Sequence, residues 1–306
     1  MLIQILNSKK AMYILMTLLV FLWGLEYIAA KAALETIQPL SLICIKSSIG
    51  MLFLFIAKYA INKRFPLKAK DIPILLISAL FGDVLYFGSE YGAMSYLPVS
   101  VITIILAFVP CVSIVFEGIR YKTRPNGLIL AGVFASVAGV AMVIGADIRE
   151  IFQGKYLGYL LAFGAVVCWN VYNFITKDLS AKYRPLDLTL LQQICAVILA
   201  LPYTIANLPK TEALTPMVIS GILYLGIVSA FIGFLIYVKA IDIIGPTPCA
   251  LFSNFLPVTT TILGWILLNE HLSGTQLVGG LVVVASSVIV IREKGKEKDL
   301  NETSPP

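Results

Sequence analysis

Charge is scarce in this chain. Only 13% of its residues are charged against 59% hydrophobic, and the mean hydropathy is +0.91. Such a composition excludes an ordinary soluble domain. Histidine is scarcer still: the single one, His271, stands beside Glu270 in a short loop. There is no HExxH, no nucleophile elbow, no P-loop and no zinc-ligand spacing, so the sequence carries no metal, cofactor or hydrolase signature. The five cysteines (Cys44, Cys111, Cys168, Cys195, Cys249) all fall in apolar stretches and none makes a CxxC pair, which reads as small packing residues. A cleavable leader is not expected either. The run after Lys10 is too long for a signal core and lacks a small-residue cleavage site.

What the chain has in abundance is long apolar runs. About 20 apolar residues cross the hydrocarbon core as a helix, and ten runs qualify: 11–34, 39–61, 71–94, 98–119, 126–146, 155–177, 186–207, 215–238, 246–268 and 274–291. Turn residues such as Pro39, Pro98, Pro125–Asn126–Gly127, Pro185 and Gly245–Pro246 separate them. The tail from Arg292 is charged, ends Thr-Ser-Pro-Pro and is expected to be disordered. The net charge of +6 would suit nucleic acid, but the placement of the basic residues gives another reason for it. Of 23 Lys and Arg residues, only Arg149, Lys155 and Lys210 fall on one side of such a membrane, and Lys31 and Lys46 fall within runs. All the others share the opposite side, which the positive-inside rule makes cytoplasmic. The expectation is a multi-pass protein of the cell membrane with both termini in the cytoplasm and no nucleic-acid partner.

The chain repeats itself. Trp23 and Lys31 are echoed by Trp169 and Lys177, and Pro39-Leu40-x-Leu42 by Pro185-Leu186-x-Leu188, both 146 positions on. Ala93, Pro110, Gly127 and Gly132 match Ala240, Pro257, Gly274 and Gly279 at 147. Residues 11–146 and 155–291 are thus two copies of one unit. Five runs per copy is an odd number, so the second copy enters the membrane upside down, as in secondary transporters. The fold class is therefore all-α integral membrane, ten transmembrane helices as two inverted five-helix repeats.

With the Trp23-Gly24…Lys31 pattern and the module Ala240…Leu256-Pro257-Val258…Leu268-Asn269-Glu270-His271-Leu272-Ser273-Gly274…Gly279, the chain resembles the EamA branch of the drug/metabolite transporter superfamily. The resemblance covers residues 11–291 and implies the same two five-helix repeats. The first copy keeps Pro110 and Gly127 but has Thr123 where the family's glutamate, matching Glu270, is expected. Trp169 is followed by Asn170 rather than glycine.

Ionisable residues inside apolar runs are costly and mark candidate sites. Trp23, Glu26 and Tyr27 share one stripe of the first run; Asp83, Tyr86, Phe87 and Glu90 share one face of the third at helical spacing. Lys46 lies in the second run. Lys31, about 12 Å beyond Trp23, is placed to snorkel toward the interface. The second copy answers this charge with aromatics and amides: Glu26 corresponds to Tyr172, Tyr27 to Asn173, Lys46 to Gln192, Glu90 to Tyr237 and Asp83 to Ala230. Trp23, Tyr86, Trp169 and Tyr172 can receive an ammonium by cation–π contact. Pro110 and Pro257 interrupt the fourth and ninth runs, as tolerated kinks or as hinges, with Asn254 one turn before Pro257. The structural reading of the acids is mutual pairing with Lys46. The functional one is a substrate cavity in which Glu26 is the first choice, for recognising a cation or carrying a proton, since burial favours a neutral carboxyl.

The function expected is secondary transport of a small polar metabolite, an amino acid or amine rather than an anion, by alternating access. The family resemblance implies export, a direction the residues themselves leave open; a proton is a candidate coupling ion, and the oligomeric state is open. An integral-membrane enzyme acting at the interface through Glu270 and His271, a channel, and an exchanger of nucleotide sugars or phosphate esters stand as alternatives.

Overall fold

The computed structural model describes residues 8–61, 67–122, 126–145, 155–208, 214–252 and 255–303. Its elements are α1 (Lys9–Leu34), α2 (Pro39–Ile61), α3 (Ala69–Ala93), α4 (Val99–Leu106), α5 (Val109–Tyr121) and α6 (Gly127–Gly145). Then come α7 (Tyr156–Ser180), α8 (Pro185–Ala206), α9 (Pro216–Ile244), α10 (Pro246–Phe252), α11 (Leu256–Leu268) and α12 (Gly274–Thr303). Each αn of the first six has its repeat mate in αn+6. Among the described residues, seven helical stretches are long and apolar enough to span a membrane, Val99–Arg120 counting as one, and three apolar helices are shorter. Outward faces are apolar, with Phe21, Phe55, Phe134, Trp265 and Leu281 exposed, as hydrocarbon solvent requires.

Local chemistry fixes the helix ends. The hydroxyls of Ser8 and Thr215 accept from Ala11 N–H at 3.1 Å and Val218 N–H at 3.3 Å, capping α1 and α9. Ser273 and Gln276 form a capping box at the start of α12, each accepting the other's backbone N–H. Gly245, at φ +88°, ends α9 in a conformation other residues avoid.

Contacts obey a two-fold exchange of halves: α1 packs on α9 as α7 does on α3, and α2 packs on α9 as α8 does on α3. The self-mated pairs α2·α8 and α6·α12 lie on the axis, and both run antiparallel. In the first, Ser41 at the start of α2 donates to the Asn207 carbonyl just past the end of α8, while Lys58 near the end of α2 pairs with Asp187 at the start of α8. In the second, Gly132 abuts Val290 and Gly139 abuts Gly279, where an added Cβ would meet the opposing carbonyl at 2.8 Å. The two repeats are inverted.

Backbone irregularities repeat too. A π-helical stretch interrupts α3 at Leu80–Leu85 and α9 at Leu225–Gly233. The fourth run is broken, so α5 begins anew after α4, and α11 restarts at the matching place. Pro110 and Pro257 therefore do not sit mid-helix as the sequence suggested. Each lies in the first turn of a new segment, where its missing N–H has no intrahelical partner to lose. Two other expectations change. α9 runs to Ile244 rather than 238, because only Gly245 stops it. The helix of α12 continues to Thr303, through most of the tail expected to be disordered, its Glu, Lys and Leu being strong helix formers.

Candidate functional site

Where the two halves meet, a cavity of about 20 Å³, room for a single water, is lined by Trp23, Glu26 and Tyr27 of α1 and by Tyr86, Phe87 and Glu90 of α3. Leu106, Val109, Trp169 and Leu256 close it, so the breaks between α4 and α5 and before α11 open onto it. Aromatic rings form half of the wall. Trp23 meets Trp169 edge-on at 6.1 Å, and Trp169 lies 4.5 Å from Tyr86, 5.2 Å from Tyr172 and 5.0 Å from Tyr237. The Trp23 indole N–H is buried without a hydrogen-bond partner.

Two carboxylates face this ring cluster, each held differently. Glu90 accepts hydrogen bonds from Tyr27 at 2.6 Å and Tyr86 at 2.7 Å, both on the same oxygen. Glu26 pairs with the Lys46 ammonium at 3.3 Å. Lys46, 1% exposed, also donates to Tyr91 at 2.9 Å and lies over the Phe87 ring, so it backs the cavity without lining it.

The remaining expected residues fall outside the cavity lining. Gln192 donates to Ser78 at 2.8 Å and Thr176 at 2.9 Å and accepts from Tyr172, bracing α8 against α3 and α7. Asn173 accepts from Tyr237 at 3.1 Å. Asn254 lies outside the described residues. Asp83 is the instructive departure. Helical spacing put it on the face of Tyr86 and Glu90, but it sits inside the π stretch, whose extra residue per turn rotates the face by about 100°. Asp83 turns to Gln193 instead, whose amide donates to it at 3.2 Å.

Lys31 also departs from expectation. Rather than snorkelling, it pairs with Glu270 at 2.7 Å. Glu270 in turn accepts from the Val99 and Ser100 N–H groups and the Ser100 hydroxyl, capping α4. Burial pushes the Glu270 carboxyl up, but these donors outweigh it and hold the group below the usual carboxylate range. The acids around the cavity are thus left with one lysine, not two. Sequence reasoning missed Tyr91, Gln193 and Tyr237 as partners. Only Tyr237 carried a signal, as the mate of Glu90.

Known proteins share this architecture. The chain is 26% identical over 292 residues to an uncharacterized transporter, YvbV, of Bacillus subtilis (strain 168), covering 94% of this chain and 93% of that one. It is 24% identical to a probable amino-acid metabolite efflux pump of Escherichia coli (strain K12), covering 90% and 93% of the two chains. A crystal structure at 18% identity superposes with a TM-score of 0.67 over 92% of this chain and 98% of the other, so the fold is shared. The EamA-like transporter family matches residues 10–145 and 156–292, one match to each repeat. Two matched repeats, inverted about a shared cavity, place the chain in the EamA-like transporter family of the drug/metabolite transporter superfamily.

Proposed function

We infer that this chain is a secondary active transporter of a small polar metabolite bearing an amine, an amino acid or simple amine rather than an anion. The cavity between the halves is its binding site, and alternating access its mechanism. One observation carries the reading: rings and two carboxylates converge there on space shared by both repeats, with Lys46 the single lysine against Glu26, Asp83 and Glu90. Buried carboxylates in excess of cations attract positive charge, and the indole and phenol faces suit an ammonium. Among the described residues no arginine lines the cavity, which disfavours phosphate esters. A substrate carboxylate can compete with Glu26 for Lys46 once the halves part, which keeps amino acids within the class. The resemblance to the efflux pump supports export, and proton coupling fits the buried acids.

With room for one water, the cavity is closed to such a substrate; loading requires the halves to part. The clusters at the two ends supply contacts that can break: Lys31–Glu270 at one, Lys58–Asp187 and Asp71–Lys182 at the other. The basic end is cytoplasmic on this reading. A cysteine at Lys68, exposed between α2 and α3, then labels only from the cytoplasm, and labelling from outside refutes the orientation.

The reading is tested by thermal shift of the purified protein against amines, amino acids, organic acids and phosphorylated sugars, then by exchange of the stabilising compounds across proteoliposomes. Stabilisation by amines or amino acids that is lost in Glu26→Gln locates the site. Preferential stabilisation by dicarboxylates or phosphorylated sugars overturns the charge argument. A chemically altered product would mean an enzyme.

A further inference from the structure

Among the three acids clustered around the cavity, Glu26, Asp83 and Glu90, Asp83 is the one whose charge no side chain answers with an ion pair or a pair of donors. Glu26 has the Lys46 ammonium and Glu90 has two phenols, but Asp83, 1% exposed, has a single amide donor on Oδ1. Its Oδ2 has no hydrogen-bond partner. Nor has the Oε1 of Gln193, the residue that donates that amide, itself fully buried. Both orphans are acceptors, so neither can satisfy the other as they stand.

One added proton changes this. A hydrogen on Asp83 Oδ2 supplies the donor that Gln193 Oε1 lacks. The two side chains then have the complementary set of an acid–amide pair: N–H to Oδ1 and O–H to Oε1. The proton comes from a hydronium ion of the bulk water: its O–H bond breaks as the Asp83 O–H bond forms, water is released, and the cluster loses one negative charge. A metal cation would need more oxygens than these two, and among the described residues no group of three acidic, histidine or cysteine side chains is gathered to hold one.

The other repeat shows that the fold does not demand an acid here. Ala230 occupies the equivalent place in the second π stretch, packed on Gly50, and the mate of Gln193 is Ser47. The same backbone device is built without the acid–amide pair, so Asp83 and Gln193 are an addition to the first half.

We propose that Asp83, paired with Gln193, is a proton-binding site separate from the substrate cavity, and that it carries the coupling proton. This rests on the transporter reading above and assigns its coupling ion to a residue that does not line the cavity. The groups that feel the Asp83 charge are Lys46 of α2, Tyr172 of α7, Gln193 and Cys195 of α8, and Tyr91 of its own helix. Lys46 links the two sites. It interacts with Asp83 and with Glu26, so a change of charge at one alters the cation field at the other.

Infrared titration of the full-length protein in lipid nanodiscs tests the site without a substrate. A protonated-carboxyl band that fades on alkalinisation is expected in the wild type and in Glu26→Gln, in potassium and sodium salts alike. It should be lost in Asp83→Asn and shifted in Gln193→Leu. Asp83→Ala copies the residue tolerated in the second repeat and guards against a folding failure. Persistence of the band in both Asp83 variants overturns the assignment, and a sodium-dependent titration makes it a metal-cation site instead. In proteoliposomes, the ratio of transport with and without an imposed pH gradient should fall to one in Asp83→Asn, with labelled members of the amine and amino-acid panel as probes. If no panel compound moves in the wild type, the transporter reading fails while the infrared result still decides the proton site. If transport keeps its gradient stimulation in Asp83→Asn, the coupling role fails alone.

Discussion

The two repeats share their backbone irregularities and differ in their chemistry. Both carry a π stretch, a restart after a break, a proline opening the restarted helix and a left-handed residue ending it. Yet the first half supplies Glu26, Lys46, Asp83 and Glu90 where the second supplies Tyr172, Gln192, Ala230 and Tyr237. The comparison separates two kinds of cause. Features present in both halves belong to the architecture, which needs them twice to close about its axis. Features present in one half are free of that requirement, and in a membrane interior they are expensive enough to call for a functional reason.

The sharpest way to break this division is to give the first half the second half's residues. Lys46→Gln copies Gln192 and strands Glu26 without its cation. Removing one partner of a buried pair costs about 3–5 kcal/mol, so a large drop in thermal stability in lipid nanodiscs is expected. The paired change Glu26→Gln with Lys46→Gln should recover most of that stability and none of the substrate-induced shift. Recovery of both would make the pair structural and the comparison empty of function.

Much of this division was legible in the sequence, and the exceptions have physical reasons. The repeat, the course of most apolar runs and the charged first half are legible in hydropathy and spacing, though the fourth and ninth runs each form two helices and α9 and α12 extend past their expected ends. The placement of Asp83 did not, because one extra residue in a π turn changes the phase of every face beyond it, and no residue type announces that turn. Lys31 was misplaced because its partner Glu270 lies 239 positions away, a distance over which periodicity is silent. Pro110 and Pro257 signalled a break correctly. They did not signal that the helix restarts there, which is a matter of packing beside the cavity.

A moderate effect is expected at Glu270, where the halves also differ: the matching residue is Thr123, outside the described residues. Its folded value lies below the ordinary one. Its contribution is therefore present above the unfolded carboxylate value and is lost as pH falls through the folded one. Glu270→Gln should cost on the order of 1–2 kcal/mol near neutrality, moderated by the partial exposure of Lys31, and should flatten the acid limb of stability against pH. An unchanged acid limb would show that the cap on α4 does not depend on charge.

The smallest effect tests whether shared backbone features are shared in energy. Lys122 after α5 and Asn269 after α11 are repeat mates with the same dihedrals, φ 54° and ψ 31°. The left-handed region costs most side chains roughly 1 kcal/mol or more, whereas asparagine enters it more readily and glycine freely. The fold thus demands the same conformation twice but fills it with residues of unequal fitness. Lys122→Gly should stabilise by about 0.5–1 kcal/mol and Asn269→Gly by only a few tenths, after the added freedom of the unfolded chain is counted. Parallel thermal unfolding of the two variants measures the difference directly. Equal gains would mean that lysine bears no more strain there than asparagine does, and a loss at Lys122 would mean that its side chain makes a contact worth more than the strain the glycine relieves.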